Sequence, residues 1–294
     1  MTPRLRVALF KLGATILEHL PERFDVALAR RLGVWLGNRT SGSAHLAANL
    51  TRVLASPSSG PTPELLARYV RRGLANYGQY WAEGAKLPAL TQRTITSRFI
   101  IAEGLEHLED AFALGRGVVI ALPHVGSWEW GGSFIASLGM PMTAIAEELE
   151  PPELFEWFTA KREAIGIHIE GLNSQVSSKL LSVLKAGGVV GLLCDRDIQG
   201  GGVEVEFFAT RVTLPGGPAT LALRTGATLL AAACYTGPGR DHFAVVTPPI
   251  AAQREGRLRE DVTRVTQLVA RELEGLIRRA PEQWHVLEAR FEGS

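Results

Sequence analysis

The sequence is poor in the features that would assign it quickly. Only two cysteines, Cys194 and Cys234, occur in 294 residues, and both lie in apolar, strand-like runs. A disulfide framework is therefore excluded, no cysteine/histidine cluster has zinc spacing, and both thiols read as reduced core residues. No apolar run reaches the length that spans a bilayer, and Arg4, Arg6 and Lys11 interrupt the N-terminus, which excludes a membrane-crossing helix. Charge of one sign is missing too. With 31 Lys+Arg against 30 Asp+Glu, the net charge of +1 removes any global pull on nucleic acid, and no nucleic-acid partner is expected. The G-x-S-x-G elbow of serine hydrolases, the G-x-x-x-x-G-K-[ST] loop and a G-x-G-x-x-G turn after a strand are all absent. Asp195 with Asp197 is a thin basis for a metal site, and none is expected.

What is present is an ordinary globular composition, 46% apolar and 21% charged, long enough to bury a sizeable core. Residues 1–37 read as two amphipathic helices. Leu5, Leu9, Leu12 and Ile16 form one stripe; Phe24, Val26, Leu28 and Leu32 form a second, beside Arg23, Arg30 and Arg31. Such a basic, apolar-faced segment can dock on an anionic membrane surface, and it can equally cover a core. Ser56 to Thr62 is a loop, and Pro63 to about Ala85 a helix whose Tyr77, Tyr80 and Trp81 read as core packing. From Phe99 the pattern alternates strand and helix. The expectation is an α/β fold with a mostly parallel central sheet flanked by helices on both faces, preceded by an N-terminal helical segment. A single domain over 1–294 is expected, helical over 1–90 and α/β over 95–294.

The richest stretch is Gly115 to Gly132, GRGVVIALPHVGSWEWGG. Val118 to Leu122 is a continuous apolar run, the mark of a strand buried on both faces. Pro123 turns the chain, which places His124 just past the strand's carboxyl end, where open α/β sheets put their ligands. Ser127 stands where a helix N-cap is expected, and Glu129 falls in the first turn. Histidine and glutamate at this spacing bring an acid close enough to hold the ring. The same spacing also fits a solvated loop histidine beside a helix-start glutamate.

His124, Glu147 and Asp195 each follow a separate strand, so the sheet edge can gather them into one cleft. A histidine/carboxylate pair without an evident protein nucleophile suits direct transfer. His124 would remove a proton from a hydroxyl that attacks an activated acyl carbonyl, with Glu129 or another acid in the cleft fixing the tautomer. Arg162, Arg196 and the helix opened by Gly216 and Gly217 can meet phosphates, since free N–H groups and the helix dipole favour an anion.

The segment His124-Val-Gly-Ser-Trp-Glu129 resembles the H-x4-[DE] box of glycerolipid-type acyltransferases, in the branch of the lipid A late acyltransferases. Asp195-Arg196-Asp197, Val203-Glu-Val-Glu-Phe-Phe208, Leu214-Pro-Gly-Gly-Pro-Ala219 and Arg224-Thr-Gly-Ala227 match that branch in order. Ala209 stands where those relatives usually carry glycine. The resemblance implies an enzyme that moves a long acyl chain from acyl-CoA, as co-substrate rather than cofactor, to a mannose hydroxyl of a phosphatidylinositol mannoside or related glycolipid. It implies a peripheral location on the cytoplasmic face of the inner membrane and a buried apolar tunnel for the acyl chain. His124 matches the base and Glu129 the box acid, and Arg162, Asp195 and Asp197 match positions near the cleft; together with Glu147, Arg196, Gly216 and Gly217 from the residue reading above, these three are the expected substrate-binding residues. A lipid A-type acceptor with a carrier-protein donor, or a non-enzymatic lipid binder, are the other readings.

Overall fold

A computed structural model describes residues 3–56, 59–147, 150–198, 200–288 and 291, with side chains for all of these except 3–6, 9, 10 and 23. The chain begins with α1 (Pro3–His19), α2 (Glu22–Gly37), α3 (Gly42–Val53) and the long α4 (Pro63–Lys86). Thr62 caps α4 by accepting from the Leu65 amide, with Pro63 in the first turn. After α5 (Gln92–Ser97) the alternation begins: β1 (Phe99–Glu103), α6 (Leu105–Ala113), β2 (Val118–Leu122), α7 (Trp128–Ser137) and β3 (Met142–Ala146). It continues with α8 (Pro152–Glu163), β4 (Ile167–Gly171), α9 (Val176–Lys185) and β5 (Val189–Leu193). The last elements are β6 (Val203–Phe207), β7 (Thr210–Leu214), α10 (Gly217–Thr225), β8 (Thr228–Thr236), β9 (His242–Val246) and α11 (Leu258–Arg279).

Seven strands form one sheet in the order β1-β9-β8-β2-β5-β3-β4, parallel throughout except where β8 meets β9. The order follows from burial. All five residues of β2 are buried, so it lies centrally, with Val118 to Leu122 in register against Val189 to Leu193 of β5. One face packs Val119, Ala121, Val190 and Leu192 under α9, α10 and α11. The other packs Val118, Ile120 and Leu230 under α6 and α7. The mostly parallel sheet with helices on both faces, expected from the alternation, is the observed one.

Val203 to Phe207 lies outside the main sheet; β6 pairs antiparallel with β7 in a separate two-stranded hairpin. A strand at Thr210–Leu214 escaped notice because its alternating polar residues look like a loop leading into α10. Ser127 is at the N-cap of α7, yet its hydroxyl takes no cap bond and is buried without a partner.

On α1 and α2 the side chains of Leu12, Ile16, Phe24, Leu28, Leu32, Trp35 and Leu36 are exposed, Trp35 by 52%. Leu5, Leu9 and Arg23, counted in the same stripes, lie outside the described side chains. Asp25 on α2 is 1% exposed and ion-paired with Lys86 at 2.5 Å and Arg240 at 2.6 Å, which ties the helix to α4 and the β8–β9 turn.

Candidate active site

The site is built where β2 and β5 end side by side. Leu122 and Leu193 are register partners, so the residues after them, His124 and Asp195, meet across the two strands. The His124 ring Nδ1 lies 2.5 Å from Asp195 Oδ1, and the His124 backbone N–H donates to Oδ2 at 2.9 Å. A carboxylate only accepts, so Nδ1 carries a proton, and in the neutral ring the lone pair is then on Nε2. The Trp284 indole N–H donates to Oδ2 at 2.7 Å. Burial by itself would raise the Asp195 carboxyl; the His124 charge and these hydrogen bonds outweigh it and hold the group down at about 2.

The loop after β2 is locked in place. Gly126 has φ +57°, and a Cβ there would fall 2.0 Å from the Cys234 carbonyl oxygen, so only glycine fits. Its N–H donates to the Gln283 carbonyl at 2.9 Å, and the His285 N–H donates to the His124 carbonyl at 2.7 Å. The segment 281–288 thus straps the histidine from the side opposite the sheet.

Glu129 does not hold the ring. It is 6% exposed on the first turn of α7, and its Oε1 accepts from the Tyr80 hydroxyl at 2.9 Å and from Arg162 at 3.2 Å. Oε2 is buried without a partner. The spacing argument failed because the first turn of α7 directs Glu129 toward α4 and α8, while β5 brings a closer acid. Asp195, expected to meet substrate, is 0% exposed behind His124 and cannot reach one. Burial followed by the Glu129 charge pushes the Tyr80 hydroxyl well above its ordinary range. Burial opposes the charge on Arg162, but Glu129 and Tyr80 more than offset it and raise the guanidinium.

Two cavities meet at this place. The first, about 830 Å³, is lined by His124, Glu147, Arg162, Arg196, Asp197, Gly216 and Gly217, among others. Of the three strand-end groups, His124 and Glu147 line this cavity, while Asp195 stands behind its wall and Glu129 outside it. Arg196 pairs with Glu288 at 2.8 Å, Asp197 accepts from the Gly202 N–H at 2.7 Å, and Gly216 caps α10. The second cavity, about 540 Å³, has mostly apolar walls from α1, α2, α4 and α8, with Glu129 and Arg162 at one place in them. Tyr77, Tyr80, Trp81, Phe158 and Arg162 border both. The aromatic cluster read as core packing is therefore cavity wall; helical spacing cannot separate the two.

Cys194 borders the first cavity, but burial and the adjacent Asp195 charge raise its thiol far above the range of a nucleophile. His285, also on that wall, is pushed down to about 3 by burial and by the His124 charge, and stays neutral. Trp284 and His285 escaped the sequence reading. They lie some ninety residues from Asp195, and no local pattern links them.

The chain belongs to the family of bacterial lipid A biosynthesis acyltransferases, whose model it matches over residues 3–292. It is an acyltransferase of glycolipid biosynthesis. Within that class it is 34% identical over 284 residues to the phosphatidylinositol mannoside acyltransferase of Mycobacterium tuberculosis H37Rv, covering 95% of this chain and 86% of the relative. The protein of the same name from Mycolicibacterium smegmatis is 32% identical over 257 residues, covering 86% and 81%. A lipid A biosynthesis acyltransferase from Haemophilus influenzae is 27% identical over 208 residues, covering 68% and 62%.

Proposed function

We propose that the protein transfers a long acyl chain from acyl-CoA to a mannose hydroxyl of a phosphatidylinositol mannoside, with His124 as general base. The observation that carries the proposal is the His124–Asp195 pair, with His124 on the wall of a large cavity that shares Tyr77, Tyr80, Trp81, Phe158 and Arg162 with an apolar groove. Nε2 takes the hydroxyl proton as the oxygen attacks the thioester carbonyl. The tetrahedral intermediate then expels the CoA thiolate, which collects that proton from the imidazolium. Asp195 holds the tautomer and stabilises the imidazolium; base catalysis of this kind contributes about 10²–10⁴-fold.

The apolar groove suits the acyl chain, since each buried methylene contributes ~0.8 kcal/mol. Arg196, Arg162 and the N-terminus of α10 suit the phosphates of the donor, and Glu147 and Asp197 suit sugar hydroxyls. The exposed Leu12, Ile16, Leu28, Trp35 and Leu36, with Arg31 and Arg39 nearby, support docking on an anionic membrane surface. Among the described residues no helix is long and apolar enough to cross a membrane.

The test is acyl transfer from labelled acyl-CoA to phosphatidylinositol mannoside, by wild type and by His124→Ala. The variant is expected to fold normally and lose transfer by at least ~10²-fold. Turnover near wild type would remove His124 from the reaction. Replacing the donor by acyl carrier protein, or the acceptor by a lipid A precursor, in the same assay separates the neighbouring readings.

A further inference from the structure

The β6–β7 hairpin has no part in the chemistry above, although its V-E-V-E-F-F sequence stood out. Its turn contains two residues, Phe208 at φ +52° and Ala209 at φ +55°. Two-residue hairpins of this hand favour Asn-Gly, because side chains resist the left-handed region. A phenylalanine and an alanine therefore sit there under backbone strain, and something must hold them. The Phe208 N–H donates to Glu274 Oε1 at 2.8 Å, and the Arg278 guanidinium lies 4.8 Å from the Phe208 ring centre. Both partners come from α11.

The strained turn delivers two buried rings to one place. Phe207 and Phe208 are 0% and 3% exposed, and their centroids lie 6.4 and 6.1 Å from Trp284. Phe291 closes on the same indole at 6.5 Å. Trp284 is 1% exposed, and its N–H meets Asp195 Oδ2. We infer that Trp284 is a positioning residue and that the β6–β7 hairpin is the clamp that aims it: the wedged indole fixes Asp195 Oδ2 so that Oδ1 stays on His124 Nδ1. The physical reason is rotation of the carboxylate. Without the indole, Oδ2 loses its shorter bond and keeps the His124 backbone N–H at 2.9 Å, a single looser hold about which the Asp195 side chain can turn and carry the imidazole away from the attacking hydroxyl. Displacements of that kind, ~1 Å, lower rates by ~10²-fold. Strained backbone persists only where its surroundings over-determine it, and such sites cluster around functional centres.

The inference rests on His124 being the base, and its test is chosen to fail separately. Trp284→Phe keeps an aromatic ring at the position and removes the N–H donor. Steady-state transfer is measured with acyl-CoA and phosphatidylinositol mannoside. The proton shared by His124 Nδ1 and Asp195 is followed by NMR in the resting protein, with the resonance assigned by its loss in His124→Ala. A fall of ~10–100-fold in kcat with both KM values within about twofold, together with a shifted or broadened proton resonance, supports the positioning role. Wild-type kcat with an unmoved resonance overturns it. The resonance needs no turnover, so an active His124→Ala sinks the base reading alone, while an unmoved signal in Trp284→Phe sinks this one alone. Phe208→Leu, which loosens the wedge without touching Asp195, is the second variant should Trp284→Phe not fold. It is expected to broaden the same resonance, and a wild-type signal there overturns the clamp.

Discussion

Two buried carboxylates, Asp195 behind the wall of the first cavity and Glu129 in the wall of the second, are bound differently. Asp195 is gripped from several sides, by the ring and backbone of His124 and by Trp284. Glu129 uses one oxygen for Tyr80 and Arg162 and leaves the other buried without a partner. The first arrangement holds a proton acceptor in a fixed pose. The second pins α7 to α4 and α8 beside Tyr80 and Arg162, which both cavities share. Proximity in sequence favours Glu129 as the partner of His124; proximity in space gives that place to Asp195.

The sharpest way to break this comparison is to neutralise each acid in turn. Asp195→Asn is expected to lower kcat by about 10²–10⁴-fold, because the amide can offer a donor to Nδ1 and present the wrong tautomer. Glu129→Gln is expected to cost at least tenfold less in kcat, and to appear instead as a raised KM for the acyl donor. Equal kcat losses would merge the two sites into one.

A second measurement sharpens the groove side. Gly84 lines the apolar cavity in the last turn of α4, and a Cβ there would meet nothing within 4 Å. Glycine is a poorer helix former than alanine, so packing gives no reason for it, whereas open space for a chain does. Gly84→Leu is expected to lower kcat/KM for long-chain donors by about tenfold while sparing short ones, read from a panel of acyl-CoA lengths. An equal effect at every length would place the acyl chain elsewhere.

The smallest expected effect concerns the strap behind His124. His285 is held neutral, its folded value lowered to about 3 by burial. An unfolded histidine titrates near 6.5, so the unfolded chain binds the extra proton first. The stability that His285 contributes is complete above pH ~6.5 and is lost as pH falls toward 3, by at most about 1.4 kcal/mol per unit. Urea unfolding at pH 7, 6 and 5 should show this slope, and His285→Gln should flatten it. An unchanged slope would mean that the ring is solvated rather than buried on the cleft wall.

Much of this was legible in the residues. Val118 to Leu122 could only be a strand covered on both faces, and Pro123 could only end it, so His124 at the sheet edge followed directly. The antiparallel β8–β9 joint and the self-paired hairpin were not legible, because short alternating runs carry no record of their partner. Tyr80 and Trp81 were misread as core, since the wall of an apolar groove and the inside of a core have the same helical period.

Taken alone, the sequence determined which strands are buried, where the chain turns and which side chains arrive at the carboxyl ends of β2, β3 and β5. Those are consequences of apolar runs, prolines and glycines acting over a few residues. Only the tertiary structure decided that Asp195 and not Glu129 holds His124, and that Trp284 stands behind it. Those contacts join residues 71 and 89 positions apart, and they are set by the β2–β5 register and the packing of α11, which no local spacing encodes.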